Sequence, residues 1–160
     1  MISVLKRDRT ATEEPRLTMN QLSLCLPGLS PVSEKEIVAR FDGGRLSSDG
    51  GVLLLREIEA RLGLADRLTG CLVDARDPER INHSYAEMMR ARMFAIACGH
   101  EDCDDLDSLR FDPAFKLACG RLPETGGDLM SQPTLSRLEN APSWRELARM
   151  GHALIDLFCD

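Results

Sequence analysis

Six carboxylates fall within twelve residues near the middle of the chain: Glu101, Asp102, Asp104, Asp105, Asp107 and Asp112. With Arg110 as the one base among them, this stretch carries −5 of the chain's net charge of −6. Such a cluster can hold a cation, sit on a solvated helix face or anchor basic side chains of neighbouring helices, and spacing helps to choose. A calcium loop needs oxygen ligands at positions 1, 3 and 5, glycine at 6 and glutamate at 12. Counted from Asp102, the fifth and sixth positions are Leu106 and Asp107; counted from Asp105, they are Leu109 and Arg110. Neither register makes the loop. Cys98, His100 and Cys103 carry zinc-binding atoms, but structural zinc takes four ligands in paired knuckles and no second pair follows. The acidic stretch therefore reads as structural.

Two other stretches invite a phosphate reading. FDGGRLSSDGG, residues 41–51, is rich in glycine, yet it lacks both the Lys-Ser/Thr that ends a P-loop and the G-x-G-x-x-G of a dinucleotide loop. Ser47, Ser48 or Asp49 is expected instead to cap the helix that follows. SQPTLSRLEN, residues 131–140, begins a helix at Ser131 with proline in its first turn. Thr134, Ser136 and Arg137 then lie at its exposed N-terminal end, where hydroxyl and guanidinium groups reach phosphates and base edges. The bland alternative is a connector helix whose Leu135 and Leu138 pack inward.

The elements that position these residues are mostly helices. Aromatic residues make up only 4% of the 160-residue chain, so the core must be built from Leu, Ala, Met and Ile. Residues 1–32 show no sustained periodicity and contain Pro15, Pro27 and Pro31, which predicts a flexible N-terminal arm. Residues 37–42 alternate as a short strand. A helix then runs to Leu62 with Leu54, Leu55, Ile58 and Leu62 on one face, and Gly63 stops it. Ser84 and Glu87 have capping-box spacing for a helix that Gly99 ends, with Arg92 set to reach the acidic stretch as a structural ion pair. Asp112 and Pro113 open a short helix that Gly120 closes. Ser143 and Glu146 form a second box, followed by an apolar stripe of Trp144, Leu147, Ala148, Gly151, Leu154, Ile155 and Phe158. Nothing after Phe158 stops that helix, which reads as cut off in mid-element, and His152 falls on its polar side.

No run approaches the ~20 apolar residues of a membrane span, and the charged start carries no export signal. Six scattered cysteines read as free thiols of a cytosolic protein rather than a disulfide framework. An acidic chain ordinarily argues against a nucleic-acid partner, but the other 148 residues are nearly neutral, so here that argument is weak.

Several motifs in one order resemble a known family. Phe41, Asp42, Gly43 and Gly44 are followed by Ser48, Asp49, Gly50 and Gly51, then Asp77, Pro78 and Arg92. Gly99, Glu101, Asp102, Asp105, Leu109, Arg110, Asp112 and Pro113 come next, and Pro133, Thr134, Ser136, Arg137, Glu139 and Asn140 complete the set. Over residues 41–160 the chain resembles the N-terminal portion of bacterial insertion-sequence transposases of the DDE type. Such enzymes cut and join DNA ends with a carboxylate triad on an RNase H-like sheet, around two divalent metals. The resemblance implies that the first catalytic Asp lies on a strand beyond the matching region, so no catalytic residue and no metal ligand is carried over to this chain.

The expectation is therefore a mainly α fold: a helical bundle with one short N-terminal strand over residues 33–160, the leader region of an RNase H-like transposase without its catalytic sheet. The parent's function would be DNA transposition. This chain would retain at most DNA binding through Arg137, Thr134 and Ser136, or subunit contact as a homo-oligomer. Its partner would be the terminal inverted repeats of the element, in the cytoplasm and without a membrane. It needs no cofactor of its own, with magnesium implied for the full-length family. The alternative from a different class is a helical protein-interaction module that pairs through the Trp144 stripe; an independent metalloenzyme built on the acidic stretch is a third.

Overall fold

The computed structural model describes residues 2–5, 23–40 and 46–159. The alternating stretch forms strand β3, Glu36–Arg40, with Ile37 and Val38 both buried. Two strands pair with it, both antiparallel: β1, Ile2–Leu5, on one side and β2, Ser23–Cys25, on the other, in the order β1-β3-β2. Ile2 lies opposite Ala39, and Ser23 opposite Arg40. Both outer strands come from the stretch read as an arm. The arm's expected boundary at residue 32 also moves, because Val32 is buried and Leu26 and Leu29 pack on the core. Ser30 donates to the Glu57 carboxylate through both its amide and its hydroxyl, while Arg56 donates to the Ser30 and Pro31 carbonyls. Residues 6–22 and 41–45, the latter including the FDGG run and the end of the expected strand, lie outside the described residues.

Seven α-helices occur among the described residues, and the fold is mainly α. They are α1 (Val52–Leu62), α2 (Leu64–Thr69), α3 (Tyr85–Ala97), α4 (Leu106–Leu109), α5 (Pro113–Ala118), α6 (Gln132–Asn140) and α7 (Trp144–Cys159). All six residues of α5 are buried, and the core gathers around it: Val52 and Leu53 of α1, Met88 and Phe94 of α3, Leu106 and Leu109 of α4, Leu135 and Leu138 of α6. Lys116 stands among them, only 3% exposed, and its ammonium donates to the Gly126 carbonyl at 2.8 Å with Asp128 at 3.6 Å. Burying an ammonium without partners is costly, so these contacts offset its desolvation and tie the loop after α5 to the core.

Most helix ends follow their sequence signals. Ser84 accepts from the Glu87 amide at the start of α3, and Asp112 accepts from the Ala114 and Phe115 amides at the start of α5. After α3, Gly99 takes φ +91°, which lets the His100 amide reach back to the Ala95 carbonyl and the Gly99 amide to Ile96. One that does not is α1. Its N-cap is Gly51 with no side-chain cap, because Asp49 and Ser47 are engaged elsewhere.

Two apolar stripes point away from the body. On α1, Leu54, Ile58 and Leu62 are exposed, whereas Val52, Leu53 and Glu59 are buried. Glu59 is there because its carboxylate accepts from the Leu64 and Ala65 amides, closing the turn between α1 and α2. On α7 no residue is fully buried. The helix starts with the expected reciprocal box, Glu146 accepting from the Ser143 amide and hydroxyl. It then lies against α2, with Glu146 also accepting from the Val73 amide and Arg149 donating to the Cys71 carbonyl.

Phe115 has no exposed surface. Truncation to Ala should cost about 3–5 kcal/mol in denaturant unfolding, whereas Leu154→Ala on the open stripe of α7 should stay within about 0.5 kcal/mol. The hydrogen bonds from the Ser143 side chain, the Ser143 amide and the Val73 amide hold the Glu146 carboxyl at about 2, below its ordinary 4.5. A depressed carboxyl stabilises the fold above its unfolded value and loses that contribution as pH falls through the folded one. The Val73 amide proton should therefore titrate with a midpoint near 2 by NMR; a midpoint at the ordinary value would mean that the α7 attachment does not form in solution.

Candidate nucleic-acid interface

Helix α6 carries the three residues singled out for DNA, and its placement depends on partners from three other segments. Leu135 and Leu138 fix its inner face in the core. Its first amide, of Gln132, donates to Asp107 at 3.1 Å, so a carboxylate of the acidic stretch caps it while the Ser131 side chain does not. At its other end Glu139 accepts from Arg92 of α3 at 2.6 Å and from the Cys103 thiol at 2.9 Å. Arg92 extends into the acidic stretch as well, but it takes the His100 and Glu101 carbonyls and none of the six carboxylates there. Burial first, and then the bond to Glu139, push the Cys103 thiol up to about 11.

The carboxylates of the acidic stretch serve neighbouring backbone and hydroxyl groups. Asp102 accepts from the Asp104 amide, Asp107 caps α6, and Asp112 caps α5 while accepting from the Ser47 hydroxyl at 3.0 Å. Asp49 meets His100 at 3.2 Å, so the SSDGG turn is docked on the acidic stretch by two contacts that link residues far apart in sequence. Arg110 forms no ion pair with these acids among the described residues; its guanidinium stands over the Phe111 ring at 5.1 Å and its buried Nε has no hydrogen-bond partner. Among the described residues no three His, Cys, Asp or Glu side chains converge as metal ligands. The described carboxylates of this stretch thus form no ligand set for a metal pair. Cys71, Cys98, Cys103, Cys119 and Cys159 are free thiols.

A cleft of about 370 Å³ opens between α6 and the segment that leads into α3. Arg76, Arg80, Asn82, His83 and Tyr85 line one wall, Thr134 and Arg137 the other. Three guanidinium groups border it and no carboxylate does. Each arginine is held differently. Arg76 stacks over the Tyr85 ring at 4.1 Å, donates to the His83 carbonyl and forms a two-pronged pair with Asp74. The hydrogen bonds from Arg76 hold the Asp74 carboxyl below its ordinary range. Arg80 is 87% exposed, 3.5 Å from Asp77, which caps a 3-10 turn over Pro78–Arg80. Arg137 is exposed and has no ion pair among the described residues.

Thr134 and Arg137, three residues apart, thus face the cleft together, with the Thr134 hydroxyl 3.2 Å from that of Ser131. Ser136 lies outside the lining, and its carbonyl accepts from Asn140. Sequence reasoning missed the opposite wall. Its signal was local: Arg76 and Arg80 flank the Asp77-Pro78 turn, and only the fold brings that turn to α6. A second, smaller cleft has Arg90 paired within its own lining, with Glu59 and Asp66.

No curated protein and no solved structure matches the chain. A family model described as transposase DDE domain, group 1, matches residues 29–160. That span takes in Leu29 and Val32, the last strand of the sheet, every helix and both walls of the cleft. On a match covering well over half its length, this chain belongs to the family of group 1 transposase DDE domains.

Proposed function

We propose that the chain is the N-terminal, DNA-contacting portion of an insertion-sequence DDE transposase, acting in DNA transposition in the cytoplasm. Its partner in this reading is the terminal inverted repeats of the element. The cleft between α6 and residues 76–85 receives a backbone phosphate, with Arg137 as the principal contact and Thr134 beside it. The observation that carries this reading is Arg137, exposed at the cleft and without an ion pair among the described residues, opposite Arg76 and Arg80, which Asp74 and Asp77 already pair. A guanidinium with no internal partner gains more from a phosphate than one already paired, as Arg76 is with Asp74. Ser136, outside the cleft, contacts DNA where the duplex runs on along α6.

Catalysis in this reading belongs to the parent enzyme's own carboxylate triad and its divalent metals, magnesium being the natural ion for phosphoryl chemistry. The acids of residues 101–112 have other uses here: Asp102, Asp107 and Asp112 bond backbone amides, and Asp105 lies 4.0 Å from His100.

Binding of the chain to duplexes carrying the element's ends, followed by fluorescence anisotropy across a salt series, tests the assignment. Arg137→Ala should weaken binding and reduce the salt slope by about one. Ser136→Ala should change affinity less than Arg137→Ala does. An unchanged affinity and slope for Arg137→Ala at low salt would remove the cleft from the interface.

A further inference from the structure

His83 lines the cleft beside α6 and is held there at two points. Its carbonyl accepts from Arg76 at 3.0 Å, and its ring Nδ1 lies 3.1 Å from Nη2 of Arg121 and 3.3 Å from Oε2 of Glu87. Arg121 reaches the ring from the loop after α5. It is fixed in turn by its pair with Glu87 through Nε and by donating to the Asp128 carbonyl at 2.7 Å. The ring is thus clamped on one edge by a side chain that is itself tied at two other places.

The two neighbours of Nδ1 ask opposite things of it. A guanidinium has five N–H donors and no acceptor, so beside Arg121 the nitrogen must offer a lone pair, whereas beside a carboxylate it would carry a proton. Arg121 makes the shorter contact. Glu87 already accepts from Arg121 through Oε1, so its charge is met without the ring. Nδ1 is therefore the acceptor, and the proton of the neutral imidazole sits on Nε2.

Nε2 lies at the other edge of the ring and has no hydrogen-bond partner among the described residues. It is also open to solvent, since among the described residues the buried side-chain nitrogen without a partner is Nε of Arg110. A donor whose direction is fixed in advance loses little freedom when it meets a ligand. The opposite wall of the same cleft carries Thr134 and the unpaired Arg137.

We propose that His83 donates its Nε2–H to the DNA phosphate received by this cleft, as a neutral hydrogen-bond donor facing Arg137, with Arg121 as the positioning residue that sets its tautomer. This contact rests on the phosphate reading of the cleft and adds to it a donor that carries no charge.

Two readouts separate the contact from that reading. Nitrogen-15 NMR of the free chain should show a singly protonated His83 ring with its hydrogen on Nε2; a hydrogen on Nδ1 would overturn the proposal whatever the cleft binds. In anisotropy titrations with duplexes carrying the element's ends, His83→Ala should weaken binding about tenfold, as expected for one hydrogen bond to a charged acceptor. Its salt slope should stay that of the unaltered chain, because a neutral donor releases no counterion. His83→Gln, which places an amide N–H near the position of Nε2, should recover part of the loss. If Arg137→Ala weakens binding but His83→Ala does not, or if His83→Gln recovers nothing, the His83 contact fails and the phosphate reading stands. A slope lowered by about one in His83→Ala would mean a charged ring and would overturn the proposal too. If neither Arg137→Ala nor His83→Ala changes affinity, both fall together.

Discussion

Short helices leave a large share of their backbone groups unbonded, and satisfying those groups is the constraint on which the middle of this protein depends. α4, α5 and α6 have four, six and nine residues. Each α-helix begins with four amides that its own ladder cannot pair, so for helices this short the ends outweigh the interior. Carboxylates are the strongest acceptors for those amides, and an anion at a helix N-terminus also meets the positive end of the dipole. Three of the five Asp residues between 102 and 112 meet this need: Asp102 at the 3-10 turn before α4, Asp112 at α5 and, from 25 residues away, Asp107 at α6.

Because these acids act on backbone, they fix geometry rather than attract cations. Asp107 sets the start of α6 and Glu139 its far end, the latter held by Arg92 and Cys103. The helix that bears Arg137 is thereby anchored at both termini while its cleft-facing side stays free of acids. The negative charge of the chain is compatible with a cation at the cleft because the acids of residues 101–112 are absent from its lining and leave Arg137 unpaired among the described residues.

Much of the helical pattern was legible in sequence because caps and stops are local. Ser84, Asp112 and Ser143 begin helices, and Gly63, Gly99 and Gly120 end them, each within a few residues of its partner. What escaped was non-local. β1 and β2 pair with β3 across gaps that no short window registers. The Ser47 and Asp49 side chains look like caps by spacing, yet they join Asp112 and His100 from far along the chain. Apolar periodicity also has no sign. It finds a stripe on α1 and on α7 but cannot tell whether that stripe meets the chain's own core, and Leu54, Ile58 and the Trp144 stripe do not. Of the cleft, the α6 wall could be read from hydroxyl and guanidinium spacing; the wall of Arg76 and Arg80 could not, since a fold was needed to bring it there.

The thiols carry a chemical consequence of the same packing. At about 11, the Cys103 group is thiolate on the order of one part in ten thousand at neutral pH, and at about 12 the Cys119 group, desolvated and near Glu87, is less so. Only the thiolate attacks electrophiles or exchanges with disulfides. The bond that fastens Glu139 therefore also shields the Cys103 sulfur from oxidants, and a protein with several free cysteines is left with one exposed thiol among those described, Cys159 at the end of α7.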